Sequence, residues 1–367
     1  FLSLSAAAQG PAVAVGPDTM TPAGRAADSV LTVAARNGFS GIALIRHRGT
    51  VVLRRGYGMA NRASAVAFSP RTVVQIGSNT KDFTKVAILQ LASEGKLTLR
   101  DSLGKFFSDV PADKSGITVR HLLDHTAGFP IGVGRDFEPL TRDQFVARTM
   151  AAPLKFEPGR GEQYSNTGFS LLAAIIELRS GQTYDRYLAE RVFAPVGMRH
   201  TGLLLPGFVA RDVAHSVEGG KEQPTMLERP HAADGSHWNL RGNGGLLSTV
   251  DDMTAFYDAL FESDRLLPRA ARDEFFPNEP VVLAGSDLAF FFLYNREPQA
   301  GLVMVLASSV AEHPAPDVHG ALLPLFGLAA PQRRQRVASA APAVARPDSP
   351  AGRAATEWID VMAHADS

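Results

Sequence analysis

Cysteine is absent from all 367 residues. That excludes a thiol nucleophile, a disulfide framework and thiolate metal sites. An excess of one charge is lacking too: 37 Lys and Arg stand against 37 Asp and Glu. A neutral chain has no general attraction for nucleic acid or an anionic membrane surface, so neither is read as a partner. No apolar run is long enough to span a bilayer, so no transmembrane segment is expected. No internal repeat is visible. What remains is 45% hydrophobic and 20% charged residues, the composition of a globular chain with a large core in one or two domains.

Three stretches are expected. Residues 1–22 read as a loose start in which Ala6-x-Ala8 matches the small-residue cleavage site at the tail of a signal peptide, so the protein is expected to be exported, periplasmic or secreted. Residues 23–329 form the main body. Residues 330–367 read as an Ala/Pro-rich linker followed by a short amphipathic helix carrying Trp358, Ile359 and Met362.

The body is organised around Gln75-Ile76-Gly77-Ser78-Asn79-Thr80-Lys81, just before an apolar helical run through Phe83, Val86, Ile88, Leu89 and Leu91. Residues three apart share a helix face, so Lys81 leans back over the Ser78 hydroxyl. A serine hydroxyl is a poor nucleophile near neutral pH and needs a base beside it. A lysine becomes that base when burial lowers its pKa, and the apolar run supplies burial. Ser78 at a helix start also leaves its own N–H free, half of an oxyanion hole. The bland alternative is an N-cap serine followed by a solvated lysine, because Ser-x-x-Lys alone is a weak motif.

A second stretch, Pro158-Gly159-x5-Tyr164-Ser165-Asn166-Thr167-Gly168, precedes a helix expected from Phe169 to Leu178. In extended backbone, residues two apart point the same way, so Tyr164 and Asn166 are expected to enter one pocket together. A phenol beside a lysine passes protons, and an amide holds a substrate carbonyl or the lysine itself. The alternative is that Tyr164 packs at a helix entrance and Asn166 caps it.

Elsewhere, Gly41 to Arg46 and Val51 to Arg54 flank the Arg48-Gly49 turn and read as a hairpin. Leu288–Leu293 and Gly301–Leu306 read as a buried antiparallel pair. Thr118 is expected to cap a short helix through His125, placing His121 and His125 four apart on one face. Leu122 stands where a metalloprotease helix carries Glu, and no third ligand is evident, so a metal is not expected. The Gly-rich stretch 242–248 lacks the lysine of a phosphate loop and reads as a turn before a capping box, Thr249-x-x-Asp252.

With these residues together, the chain resembles the serine β-lactamase-related family, which includes class C β-lactamases, D-Ala-D-Ala carboxypeptidases and β-lactamase-like esterases. Ile76-Gly77-Ser78-x-x-Lys81, His121-Leu122-Leu123-x-His125-Thr126-x-Gly128, the Tyr164-Ser165-Asn166 stretch, Pro195-x-Gly197-Met198 and Gly244-Gly245-Leu246-x-Ser248-Thr249-x-x-Asp252 carry the resemblance, in the family's order. It implies an α/β fold: an antiparallel sheet from both chain ends, flanked by helices, beside an all-helical region. It also implies Ser78 as nucleophile, Lys81 as its activating partner and Tyr164 as proton shuttle, leaving open whether Lys81 or Tyr164 is the base in acylation. Asn166, Gly285 and Ser286 would touch substrate. No metal or organic cofactor is implied, since Ser, Lys and Tyr supply nucleophile and proton transfer.

The chain departs from the family in one place. The family's third motif is Lys or His, one residue, then Gly, on the strand lining the cleft. With Gly285 as that glycine, Leu283 replaces the basic residue. The segment between Phe276 and Leu288 also reads as short, as though a strand's worth of chain were missing. Loss of the basic side chain argues against substrates bearing a carboxylate, including β-lactams and D-Ala peptides, and is tolerable for neutral esters. The resulting expectation is an exported serine hydrolase forming an acyl-enzyme on Ser78 with small carboxylic esters. Its rivals are a D-amino-acid peptidase or β-lactamase acting on an amide or peptide, and a penicillin-binding-like module that captures ligand without turnover.

Overall fold

The computed structural model describes residues 20–330 except Ser236. The expected signal-peptide remnant, most of the loose N-terminus and the C-terminal amphipathic helix lie outside the described residues.

Both ends of the described chain build one sheet. Strands β1 (Gly41–His47) and β2 (Thr50–Tyr57) form the expected hairpin, and β3 (Val281–Asp287), β4 (Phe290–Glu297) and β5 (Leu302–Ser308) come from the other end. Their order is β2-β1-β5-β4-β3, and every pairing is antiparallel. The seam between the chain ends is the β1–β5 ladder, with Gly41 opposite Ser308 and His47 opposite Leu302.

The strand judged missing is present. β3 has seven residues, and Val281 to Asp287 pair continuously with Arg296 to Phe290. The segment reads as short because β3 and β4 are joined by two residues only, Leu288 and Ala289. Leu288 takes the left-handed conformation (φ 52°) that two-residue hairpin turns demand and that usually selects Gly or Asn. A leucine there hides the turn from sequence inspection.

Alternate side chains of a strand point to opposite faces. Ile42 and Leu44 therefore join one core while Ala43 and Ile45 join another. A strand buried on both faces reads as an unbroken apolar run, as β1 does. Behind the sheet, α1 (Pro22–Arg36), capped by Thr21, and α7 (Ala315–Leu322) pack Ala27, Leu31, Val318 and Leu322 against it.

In front lies the larger core, built around α2 (Thr80–Ser93) and α5 (Asn166–Ser180). Residues Thr167 to Ile176 of α5 are all buried, which marks a helix enclosed on every side. The Phe83 ring of α2 lies 4.0 Å from that of Phe256 on α6 (Val250–Glu262), tilted by 31°. Short α3 (Val119–Leu123) and α4 (Arg142–Ala151) begin at Thr118 and Thr141, each with a reciprocal capping box. Thr249 caps α6 as expected, accepting from the Asp252 N–H. The Asp252 carboxylate instead accepts from the Arg199 and His200 N–H groups and the Thr201 hydroxyl, so the box is one-sided and ties a distant loop to α6. Among the described residues, no helix is long and apolar enough to cross a membrane.

Candidate active site

Ser78 does not lie within α2. It sits in a 3-10 turn, Gly77–Asn79, that feeds α2, and neither the turn nor the helix has a side-chain N-cap bond. The hydroxyl is therefore free for other partners, against the capping reading. Lys81 Nζ lies 3.2 Å from Ser78 Oγ, as the three-residue spacing implied. The Tyr164 phenol donates to the same Oγ at 2.6 Å.

Lys81 is 5% exposed and its ammonium stem is walled by rings: Nζ stands 4.6 Å from the centre of Tyr164 and 5.7 Å from that of Phe169. Burial drives its pKa well below the ordinary lysine range. Asp82 and Asp287 oppose that shift, and Lys85 reinforces it. Burial pushes the Tyr164 phenol the other way, above its ordinary value, with the Ser78 bond a smaller counterweight. The two groups are thus driven apart: a lysine with a ready lone pair and a phenol that keeps its proton.

The Gly-rich turn before α6 supplies a residue that sequence reasoning missed. Lys81 donates to the backbone carbonyl of Asn243 at 2.7 Å. Asn243 is itself 1% exposed, and its Nδ2 donates to Ser170 Oγ and the Asn239 carbonyl. Thr84 of α2 donates to the Gly242 carbonyl, and the Leu246 N–H donates to Thr80. Thr80, Lys81 and Thr84 thus pin this turn to α2. Gly242 has φ 82°, and a Cβ there would press within 2.6 Å of the Phe169 carbonyl oxygen. The signal available in sequence was an Asn between glycines; its role lies in a carbonyl that every residue type has.

Tyr164 and Asn166 differ in backbone setting and in partners. Helix α5 begins at Asn166, earlier than expected, and Ser165 is the cap, accepting from the Gly168 N–H. Tyr164 reaches Ser78, while the Asn166 side-chain oxygen is buried without a hydrogen-bond partner and its backbone N–H donates to the Ile131 carbonyl. No bond from Asn166 to Lys81 is present among the described residues. Asn166 opens α5 while Tyr164 precedes it, so the two stand on either side of the Ser165 cap and not on one extended stretch.

His121 and His125 also separate. The helix ends at Leu123, and His125 follows in the left-handed region (φ 58°). His121 serves the Thr118 capping box. The His125 ring lies 4.7 Å from that of Tyr164 and accepts the Ser165 N–H. Burial, with Lys81 and Lys85 nearby, lowers its pKa to about 3, so it stays neutral and acts as a rigid backing for Tyr164. Among the described residues, no cluster of His, Cys, Asp or Glu is arranged to hold a metal ion.

The opposite wall is backbone. Gly77 has φ 52°, and a Cβ on it would lie 2.6 Å from the Ser286 nitrogen. A Cβ on Gly285 would lie 2.6 Å from the Asn79 nitrogen. The Ser78 turn and β3 therefore touch main chain to main chain, and both contacts require glycine. Leu283 packs against the larger core and contributes no charge to the cleft. Strand β3 is an edge strand, so its far side is unpaired by the sheet.

The Beta-lactamase family model matches residues 27–290, a span that holds every one of these groups. "Penicillin-binding protein 4*" of Bacillus subtilis (strain 168) is 27% identical over 295 residues, covering 74% of this chain and 63% of its own length. A "Putative D-alanyl-D-alanine carboxypeptidase" of Escherichia coli O157:H7 is 28% identical over 261 residues, covering 61% of this chain and 60% of its own. The chain thus spans about three fifths of the length of these relatives. The crystal structure of a penicillin binding protein from Bacillus halodurans superposes with a TM-score of 0.68 at 25% identity, over 81% of this chain and 100% of that one. D-amino acid amidase from Ochrobactrum anthropi SV3 shares the fold at a TM-score of 0.65, with 22% identity over 79% of this chain and 92% of that one. A serine turn carrying its lysine three residues on, a tyrosine closing on it from the loop before α5, an antiparallel sheet from both chain ends and a match over most of the body have one explanation: the chain belongs to the beta-lactamase family.

Proposed function

We propose that the protein is an exported serine hydrolase that forms an acyl-enzyme on Ser78 and acts on small carboxylic esters. One observation carries the reading: Ser78 Oγ is held between a buried lysine at 3.2 Å and a phenol at 2.6 Å.

The chemistry follows from the direction in which burial pushes each group. Lys81, deprotonated by its surroundings, takes the Ser78 proton as Oγ attacks the ester carbonyl carbon. The oxyanion is received by the Ser78 N–H and a backbone N–H of β3 at Ser286. Tyr164 gives its proton to the departing alkoxide and regains one from Lys81. Water then attacks the acyl-serine with the proton steps reversed, releasing carboxylic acid and restoring Ser78. In this scheme Lys81 is the acylation base.

Leu283 favours neutral esters, because a substrate carboxylate would find no cation on β3. Export rests on the Ala6-x-Ala8 pattern. A second reading, cleavage of D-amino-acid amides or peptides, is favoured by the names of the relatives, whose own lengths the chain covers only in part. The deciding experiment is hydrolysis of p-nitrophenyl butyrate by wild type and Ser78→Ala. Turnover by wild type alone supports the proposal; equal rates from the two, or none, overturn it. D-Alanine p-nitroanilide, run beside it, tests the amidase reading.

A further inference from the structure

The hydrolytic steps leave a second buried phenol unused. Asn79 and Asp82 each stand one position beyond Ser78 and Lys81, so they repeat the three-residue spacing of that pair. Both close on Tyr257 of α6. Asn79 Nδ2 donates to the Tyr257 hydroxyl at 2.7 Å, and that hydroxyl donates to Asp82 Oδ2 at 2.8 Å. All three residues are buried.

A phenol has one proton to give. Tyr257 gives it to the carboxylate, so only the NH2 of the Asn79 amide can face the phenol. The direction of the chain therefore fixes which way the amide lies. Its Oδ1 is left toward β3, where a Cβ on Gly285 would collide with it, and it has no hydrogen-bond partner. The same Cβ would collide with the Ile76 carbonyl and the Asn79 nitrogen. The Ser78 turn thus meets β3 through Asn79, and Tyr257 holds Asn79. The Tyr257 ring is held in turn. It lies stacked 4.3 Å from the ring of Tyr294, which stands opposite Leu283 in the β3–β4 ladder, and 5.1 Å from that of Phe256. Polar groups withdrawn from water are destabilising unless every one is bonded, and here one oxygen is not. An apolar filling would serve the core better, so the chain of bonds calls for another use.

We propose that Asn79, Tyr257 and Asp82 are positioning residues for the oxyanion hole: they hold the Ser78 turn at one distance from β3, so that the Ser78 and Ser286 N–H groups converge on the developing oxyanion. The inference rests on the hydrolytic reading of Ser78. None of the three takes part in bond making. They act through the turn, and geometry that matters only as charge develops lowers kcat and leaves KM alone.

Tyr257→Phe keeps the ring stack and removes both bonds. With folding checked by circular dichroism, its kcat for p-nitrophenyl butyrate should fall ~10- to 100-fold at a KM within about twofold of wild type, as expected when a donor is displaced but not deleted. Phenylboronic acid takes the Ser78 oxygen on boron to form a tetrahedral anion, with the Oγ proton passing to Lys81. Its affinity, read by calorimetry, should fall by the same factor as kcat/KM. Asn79→Ala leaves the Tyr257–Asp82 bond in place, should lose kcat in the same way, and keeps the test alive if Tyr257→Phe fails to fold. The acid limb of its pH profile should not move, because Lys81 is untouched. Variants that lose only melting temperature, with kcat and boronate affinity intact, show a merely structural chain and overturn the inference while the esterase reading stands. An acid limb that moves with the rate overturns it as well, since the chain would then act on the base. A wild type that neither cleaves the ester nor binds the boronate ends both readings; one that binds the boronate alone loses the esterase reading and still tests this one.

Discussion

The two walls of the cleft are built on different principles. The helical wall works with side chains: Ser78, Lys81 and Tyr164 meet within 3.2 Å, and each needs its own functional group. The strand wall works with main chain: β3 approaches the Ser78 turn so closely that Gly77 and Gly285 admit no Cβ. A wall made of side chains fixes the reaction. A wall made of backbone leaves its side chains free to vary, and here one of them is Leu283. The comparison teaches that reaction type and substrate charge are separable properties of this cleft.

The largest effect should come from the helical wall. Ser78→Ala is expected to lower ester kcat/KM by on the order of 10^3- to 10^6-fold, read by steady-state kinetics. Lys81→Met should be about as damaging to rate, yet it should raise the melting temperature near neutral pH. The lysine's folded pKa is lowered, so the unfolded chain binds more protons between that value and the ordinary lysine range, and stability climbs with pH across that window. Methionine removes both the cost and the slope. A lower melting temperature for Lys81→Met would contradict this account of the lysine.

The rate has a matching pH dependence. A base acts unprotonated, so kcat/KM should hold above the folded pKa of Lys81 and fall as pH drops through it, with an acid limb well below the ordinary lysine range. The raised Tyr164 pKa places the alkaline limb above the ordinary phenol range. Tyr164→Phe should cost ~10^2- to 10^4-fold, the usual worth of a positioned proton donor. If its pH profile loses the acid limb, Tyr164 rather than Lys81 is the base.

The strand wall should break more gently. Gly285→Ala pushes β3 off Asn79 and should cost ~10^2- to 10^3-fold in kcat, as loss of one oxyanion donor does, with circular dichroism unchanged. The smallest effect belongs to Leu283→Lys, which should change neutral-ester kcat/KM by less than about tenfold, because rim side chains tune substrate choice more than chemistry. A loss as large as that of Gly285→Ala would show that Leu283 supports the wall itself.

The same asymmetry decided what could be read from the chain. Ser78-x-x-Lys81 was legible because three residues of helix fix the geometry locally. Tyr164 was legible from its motif, although the local conformation was not: α5 starts at Asn166, so the extended stretch expected through 164–166 is cut short. The Asn243 carbonyl was invisible because a backbone oxygen leaves no mark on residue identity. The Asn79–Tyr257 bond joins residues 178 apart, and nothing local in either segment announces it. Strand β3 looked truncated because its turn is only two residues and uses leucine where glycine is the usual sign.

The sheet that carries β3 separates two cores, and Leu31, Leu53, Leu306 and Val318 belong to the rear one, while Phe83 and Phe169 beside the Ser78 cleft belong to the front one. Leu31→Ala should therefore remove ~2–5 kcal/mol of stability while leaving the turnover of each surviving molecule intact. In a cell such a change would appear as scarcity of the protein and never as altered preference. The rear layer is accordingly the place to gain heat tolerance by redesign, since a better-filled rear core asks nothing of the Ser78 cleft.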